Sequence, residues 1–131
     1  MSITSSDFLN IAKYCLDNDD EAGFRSCISR AYYAMYHESL SSLKFAPKFS
    51  SNHHGNLIGY MTTPSEHKAE PFDSHLIKVL GYNLKQQRDA RNEADYRITG
   101  VTTSREMAEA SMAAAKLFFS KWDSLKSAKA S

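Results

Sequence analysis

Residues 20–44 read DEAGFRSCISRAYYAMYHESLSSLK, the most periodic stretch of the chain. Phe24, Ile28, Ala31, Tyr32, Met35 and Ser39 recur at the spacing that places them on one face of a helix. Ser26, Arg30, Tyr33 and His37 form a second stripe, polar or amphipathic. Such a helix turns one face to its own core and another to a polar site or a partner.

Working outward, the same periodicity predicts a helix over about 6–18. Ser5 or Ser6 caps it, and Phe8, Ile11, Ala12 and Cys15 form its inner face. The polar break Asn18-Asp19-Asp20 ends it and caps the next helix. Beyond Lys44 the pattern weakens: Pro47, Pro64 and Pro71 interrupt it, and only a short helix over Gly55 to Met61 is expected within a loop running to Asp73. A long helix then starts at Asp73, carries Leu76, Ile77, Leu80, Leu84, Gln87 and Arg91 on one face, and stops near Arg97 before Thr99-Gly100. Thr103-Ser-Arg-Glu106 reads as a capping box opening the last helix, in which Ala113–Ala115 permits close approach and the tail after Lys126 frays. Four long helices, a short one, no strand alternation and no repeat give an all-α, antiparallel bundle, expected as a single domain over 1–131.

The 131 residues suffice for a sizeable core, with 42% apolar residues and seven each of Phe and Tyr. A net charge of +1 means that any nucleic-acid contact must come from a local basic patch. No apolar run reaches the roughly 18 residues of a membrane span, and MSITSSDFLN lacks the features of a secretory signal. Cys15 and Cys27, in separate helices, read as reduced thiols, so the expected location is the cytoplasm.

Three clusters are candidates for chemistry. In KQQRDARNEADYR, residues 85–97, Arg88, Asn92 and Asp95 share a helix face with Arg91 beside them; Arg91–Asp95 and Asn92–Tyr96 are i, i+4 pairs. A planar, permanently charged guanidinium suits a phosphodiester. The same residues also fit a solvated face with charge pairing. The stripe Arg30, Tyr33, His37 offers a histidine beside tyrosine hydroxyls for proton exchange, or packed aromatics alone. Asn52-His53-His54-Gly55 has no Cys or acidic partner at ligand spacing, so a helix cap or lid fits it better than a metal; no metal or other cofactor is expected.

Taken together, Arg30-Ala-Tyr-Tyr-Ala-Met-Tyr-His37, then His54-Gly55 with Ile58, then Arg91-Asn-Glu-Ala-Asp-Tyr96, in this order, resemble the HEPN family, the higher-eukaryote and prokaryote nucleotide-binding helical domains. The last block is similar to the Arg-x-x-Ala-Asp-Tyr segment of their small stand-alone prokaryotic branch, and the resemblance spans most of the chain. It implies a four- to five-helix up-and-down bundle, usually a homodimer whose two Arg–polar–His motifs meet in a cleft. It implies metal-independent endoribonuclease activity in active members, many of them toxins or phage-defence proteins beside a nucleotidyltransferase partner. Carried over, Arg91 is the motif arginine and Asn92 the polar residue. The chain departs from the motif at Tyr96, which stands where histidine is expected. Tyrosine, ordinarily ionising near pH 10, is a poor general base at neutral pH. Catalysis of the usual type is therefore not expected from this helix alone, although a histidine from elsewhere, His37 or His54, could reach the cleft.

The resulting expectation is an RNA-binding domain with Arg91, Asn92 and Tyr96 at the motif and Arg88, Asp95, Arg30, Tyr33, His37 and His54 around it. Two alternatives stand beside it: a non-catalytic dimeric module paired with a nucleotidyltransferase, and a nucleotide binder using the same cleft.

Overall fold

The computed structural model describes residues 3–130. Six helices follow one another: α1 (Ser5–Asp17), α2 (Glu21–Ser42), α3 (His53–Thr62), α4 (Pro64–His67), α5 (Ser74–Tyr96) and α6 (Arg105–Ala130). Among the described residues there is no strand. No helix of the described residues is long and apolar enough to cross a membrane.

Helix α2 is the hub, packed against α1, α5 and α6. Cross-contacts fix the helix directions. Ser5 bonds Glu38 while the carbonyl of Cys15 lies against Gly23, so α1 runs opposite to α2. Arg25 reaches the Ala94 and Arg97 carbonyls while Tyr32 meets Arg91, so α5 also opposes α2. Cys27 faces Ala108 and Ser39 faces Trp122, so α6 runs along α2. The four long helices therefore alternate in direction.

The small residues of α2 explain its centrality. Beyond the expected stripe it buries Cys27, Ser29, Ala34, Tyr36, Glu38 and Ser42. At Gly23 an added Cβ would sit 2.5 Å from the Cys15 carbonyl oxygen, so only glycine lets α1 and α2 close at that level. Asp20 caps α2 through the Gly23 N–H at 2.7 Å. The Arg25 guanidinium takes three carbonyls around the C-terminal end of α5, those of Ala94, Arg97 and Val101. Gly100, at φ +77°, makes the turn that follows.

Several expectations are corrected. On α1, Ile11 is exposed and Leu16 takes the buried place beside Ala12, because only one side of this helix meets α2. The cap is Thr4, whose N–H donates to Asp7 at 2.7 Å. On α5, Leu76 is exposed. Helix α6 begins one residue later than a Thr103 cap requires: Ser104 accepts the Met107 N–H, and the Thr103 N–H donates to Glu21 instead. Ala113 and Ala114 face solvent, only Ala115 of that run being buried, and α6 runs on to Ala130, where the sequence leads one to expect a frayed tail after Lys126.

The largest correction is in 45–72, where the sequence suggests a loop around one short helix. Glu70, buried, accepts the Lys44 and Phe45 N–H groups, both at 2.8 Å, and the Tyr60 hydroxyl at 2.6 Å. His67, also buried, spans the Tyr60 carbonyl and the Ser74 hydroxyl. These polar clamps tie α3 and α4 to the ends of α2 and α5, and so fix the position of His54.

Candidate functional site

Arg91 lies on the apolar stripe of α5, in line with Ile77, Leu80, Leu84 and Gln87, and is buried like them, only 6% exposed. It is not part of a solvated face. Its guanidinium carbon sits 5.2 Å from the ring centroid of Tyr32, 5.5 Å from Tyr33 and 5.9 Å from Tyr96. Such an aromatic cage stabilises a cation without satisfying its N–H donors. The acceptors are few: the Tyr96 hydroxyl at a long 3.4 Å and an Asp95 oxygen at 3.8 Å. The Arg91 Nε is sealed from solvent and has no acceptor.

Arg88, one turn earlier, is half-buried and its guanidinium meets no acceptor among the described residues; its Nε is sealed as well. Two adjacent guanidiniums with unused donors are unusual, because a buried polar group normally finds a partner. Asp95, 3.8 Å from Arg91 and also accepting from the Ser29 hydroxyl at 3.1 Å, offsets one of the two positive charges and leaves the pair with one in excess.

The third member of the cluster comes from α3. His54 Nδ1 lies 2.7 Å from the hydroxyl of Tyr32, which is wholly buried. The His54 ring packs 4.4 Å from the centroid of Tyr36 and 5.9 Å from that of Tyr33. Burial, and then the positive charges of Arg91 and Arg88, hold His54 below the usual histidine range, with His53 and His37 adding to the effect. The imidazole is therefore neutral at physiological pH. Burial pushes the Tyr32 hydroxyl far above the tyrosine range, the two arginines opposing only in part, so it stays protonated.

The remaining candidates divide. Tyr33 is half-buried with Arg30 5.4 Å from its ring centroid, so its ring lies within reach of two guanidiniums. His37 stacks on Phe8, with centroids 4.8 Å apart, and also meets Tyr36 at 5.2 Å; burial holds its basicity below normal. Arg30 is exposed and Asn92 half-buried with no side-chain hydrogen bond. Tyr96, 70% exposed, touches the cluster through its hydroxyl and one ring contact. Tyr32 and Tyr36 belong to the cluster, although periodicity alone places Tyr32 in the core and does not single out Tyr36. Their i, i+4 spacing, beside the Tyr33–His37 pair, is the signal in the sequence that points to them.

Two grooves on the α5–α6 side are about 500 and 510 Å³ in volume, and a third of about 640 Å³, between α1 and α2, has His37 in its lining. None of the nine candidate residues lines either α5–α6 groove, and the first holds the satisfied Gln87–Ser111 pair. Unused donors locate an anion site better than volume does, so the Arg88–Arg91–His54 cluster is the candidate. Among the described residues no three His, Cys, Asp or Glu side chains gather closely enough to hold a metal. No protein-family model, curated protein or solved structure matches the chain.

Proposed function

We propose that this chain is a HEPN-like RNA-binding protein that takes backbone phosphates on Arg88 and Arg91. The observation that carries this reading is the pair of guanidiniums on α5, one with no acceptor and one caged by tyrosine rings with its Nε unpaired. The two Nε donors are sealed, but the terminal nitrogens of Arg88 have no acceptor among the described residues and are not sealed, so a phosphate oxygen can reach them. Alternation of the four long helices supports the up-and-down bundle of that family. In this reading two copies face each other as a homodimer in the cytoplasm, so that paired arginine faces flank one strand. Binding rather than cleavage is the primary activity, because Tyr96 supplies a hydroxyl where the motif asks for an imidazole. A role in defence or as a toxin-type module beside a nucleotidyltransferase follows from the resemblance alone.

The test is a titration of single-stranded and duplex RNA into the wild type and Arg91→Ala, with cleavage followed on gels and mass by light scattering. The expected result is a dimer that binds single strands at low salt, with affinity falling as salt rises through counterion release. A monomer that neither binds nor cuts RNA at low salt removes the proposal.

A second reading rests on the Arg91–Asp95 contact and the burial of Arg91. Here the arginine is structural, and the protein is a non-catalytic interaction module. Unchanged RNA affinity in a folded Arg91→Ala favours it.

A further inference from the structure

We propose that neutral His54, held by Tyr32 with its proton on Nε2, is the third donor of an anion site formed with the Arg88 and Arg91 guanidiniums, taking a phosphodiester oxygen of single-stranded RNA. The inference rests on the phosphate-binding reading above and adds to it a group that the α5 motif does not contain.

The Tyr32 hydroxyl is wholly buried and has one hydrogen-bond partner among the described residues, the Nδ1 of His54 at 2.7 Å. A buried hydroxyl must place its hydrogen on an acceptor, and no other stands within reach. Tyr32 therefore donates and Nδ1 accepts, so Nδ1 carries no proton. A neutral imidazole whose Nδ1 is bare has its hydrogen on Nε2. The same contact disfavours an imidazolium, since both of its nitrogens are donors and would strand the Tyr32 hydrogen. The positive field of Arg91 and Arg88 acts in the same sense.

The Nε2–H so created has no partner among the described residues, and it is not sealed from solvent, so a ligand can touch it. Packing against Tyr36 fixes the ring plane. Charged and titratable groups around it are Arg88 and Arg91 on α5, His37 on α2 and His53 on α3, all cationic or neutral. No carboxylate is among the groups that act on the His54 ring, Asp95 offsets one guanidinium charge from 3.8 Å, and the ligand that fits the remaining positive charge and the free donors is an anion. His54 is a binding and positioning residue here; no bond is made or broken.

Two measurements test this. Side-chain nitrogen NMR of the wild type at neutral pH is expected to show His54 with bare Nδ1 and protonated Nε2. Titration of a short, unstructured, single-stranded RNA is then compared across His54→Gln, His54→Asn, His54→Ala and Arg88→Ala, each checked for folding by thermal melting. Glutamine places an amide N–H near the Nε2 position and is expected to bind within about threefold of wild type. Asparagine and alanine, lacking that donor, are expected to bind about tenfold more weakly, as for one hydrogen bond to a charged group. A proton on Nδ1 overturns the inference, as does wild-type affinity in His54→Ala when Arg88→Ala is weakened; in both cases the phosphate reading survives. Wild-type affinity in both His54→Ala and Arg88→Ala overturns the two together. Should His54→Ala not fold, the wild-type tautomer and His54→Asn decide, wild-type affinity in a folded His54→Asn overturning the inference.

Discussion

Replacing Arg91 with methionine is expected to leave the protein as stable as wild type or more so, while abolishing most RNA affinity. The magnitude follows from the surroundings of the guanidinium. Burying an ion costs several kcal/mol even after relaxation. Opposing this are the 3.8 Å contact to the exposed Asp95, a long contact to the exposed Tyr96 hydroxyl and three ring contacts between 5.2 and 5.9 Å. The ion pair contributes about 1 kcal/mol or less. Each ring adds about 0.5–1 kcal/mol. Methionine spans a similar length, keeps favourable sulfur–ring contacts and needs no acceptor. Arg91→Met should therefore lie between wild-type stability and about 2 kcal/mol above it. For a chain of this size that is a rise of up to about 8 °C in Tm. Urea unfolding followed by circular dichroism, with RNA titration on the same preparation, reads both effects. A drop of about 3 kcal/mol or more is what breaking a well-compensated buried pair produces. That result would refute the reasoning and establish Arg91 as a structural residue.

Three other perturbations have definite expected outcomes. Glu70→Ala strands two backbone N–H groups and the Tyr60 hydroxyl, and is expected to cost about 3–5 kcal/mol in urea unfolding, with faster amide exchange at Lys44 and Phe45. His54 and His37 both have basicity depressed in the folded state, so between that depressed value and the ordinary histidine value near 6.5 the unfolded chain binds more protons. Stability should thus be undiminished by these two groups above about pH 6.5 and fall as pH drops below it, and a His37→Gln/His54→Gln variant should flatten that fall in unfolding series from pH 5 to 8. At Gly81 an added Cβ would sit 2.7 Å from Thr62 Cγ2 and 2.9 Å from Met61 Cβ; Gly81→Ala is expected to cost about 1–2 kcal/mol by denaturant unfolding, despite alanine's better helix propensity.

The helices are legible in the sequence where packing is one-sided and the apolar period survives. The stripe Ile28, Ala31, Tyr32, Met35, Ser39 is buried as its spacing predicts, and the stripe ending at Arg91 aligns that arginine with the core of α5. What the spacing does not convey is consequence: a cation on a core stripe reads as polar chemistry in sequence, and only the tyrosines of α2 show how burial is tolerated. The 45–72 segment is illegible for a different reason. Its order comes from polar clamps by Glu70 and His67 rather than from apolar periodicity, and such contacts leave no period to detect. For the same reason His54 stands out in the sequence only as part of a histidine pair. Its partner Tyr32 is 22 residues away, and its charged neighbours Arg88 and Arg91 lie on another helix. On α6, the choice of Ser104 over Thr103 as cap is decided by Glu21, which draws the Thr103 N–H across the fold.

The most direct measurement is the salt dependence of single-stranded RNA binding by wild type and Arg88→Ala. The Arg88 guanidinium bonds to nothing among the described residues, so its removal tests ligand binding without dismantling the fold. The account predicts measurable binding at low salt by the wild type and weaker binding by the variant. It also predicts a plot of log affinity against log salt that is shallower by about 0.7 for each phosphate that Arg88→Ala no longer neutralises. Superimposable curves for the two proteins, or no binding by either, would contradict it.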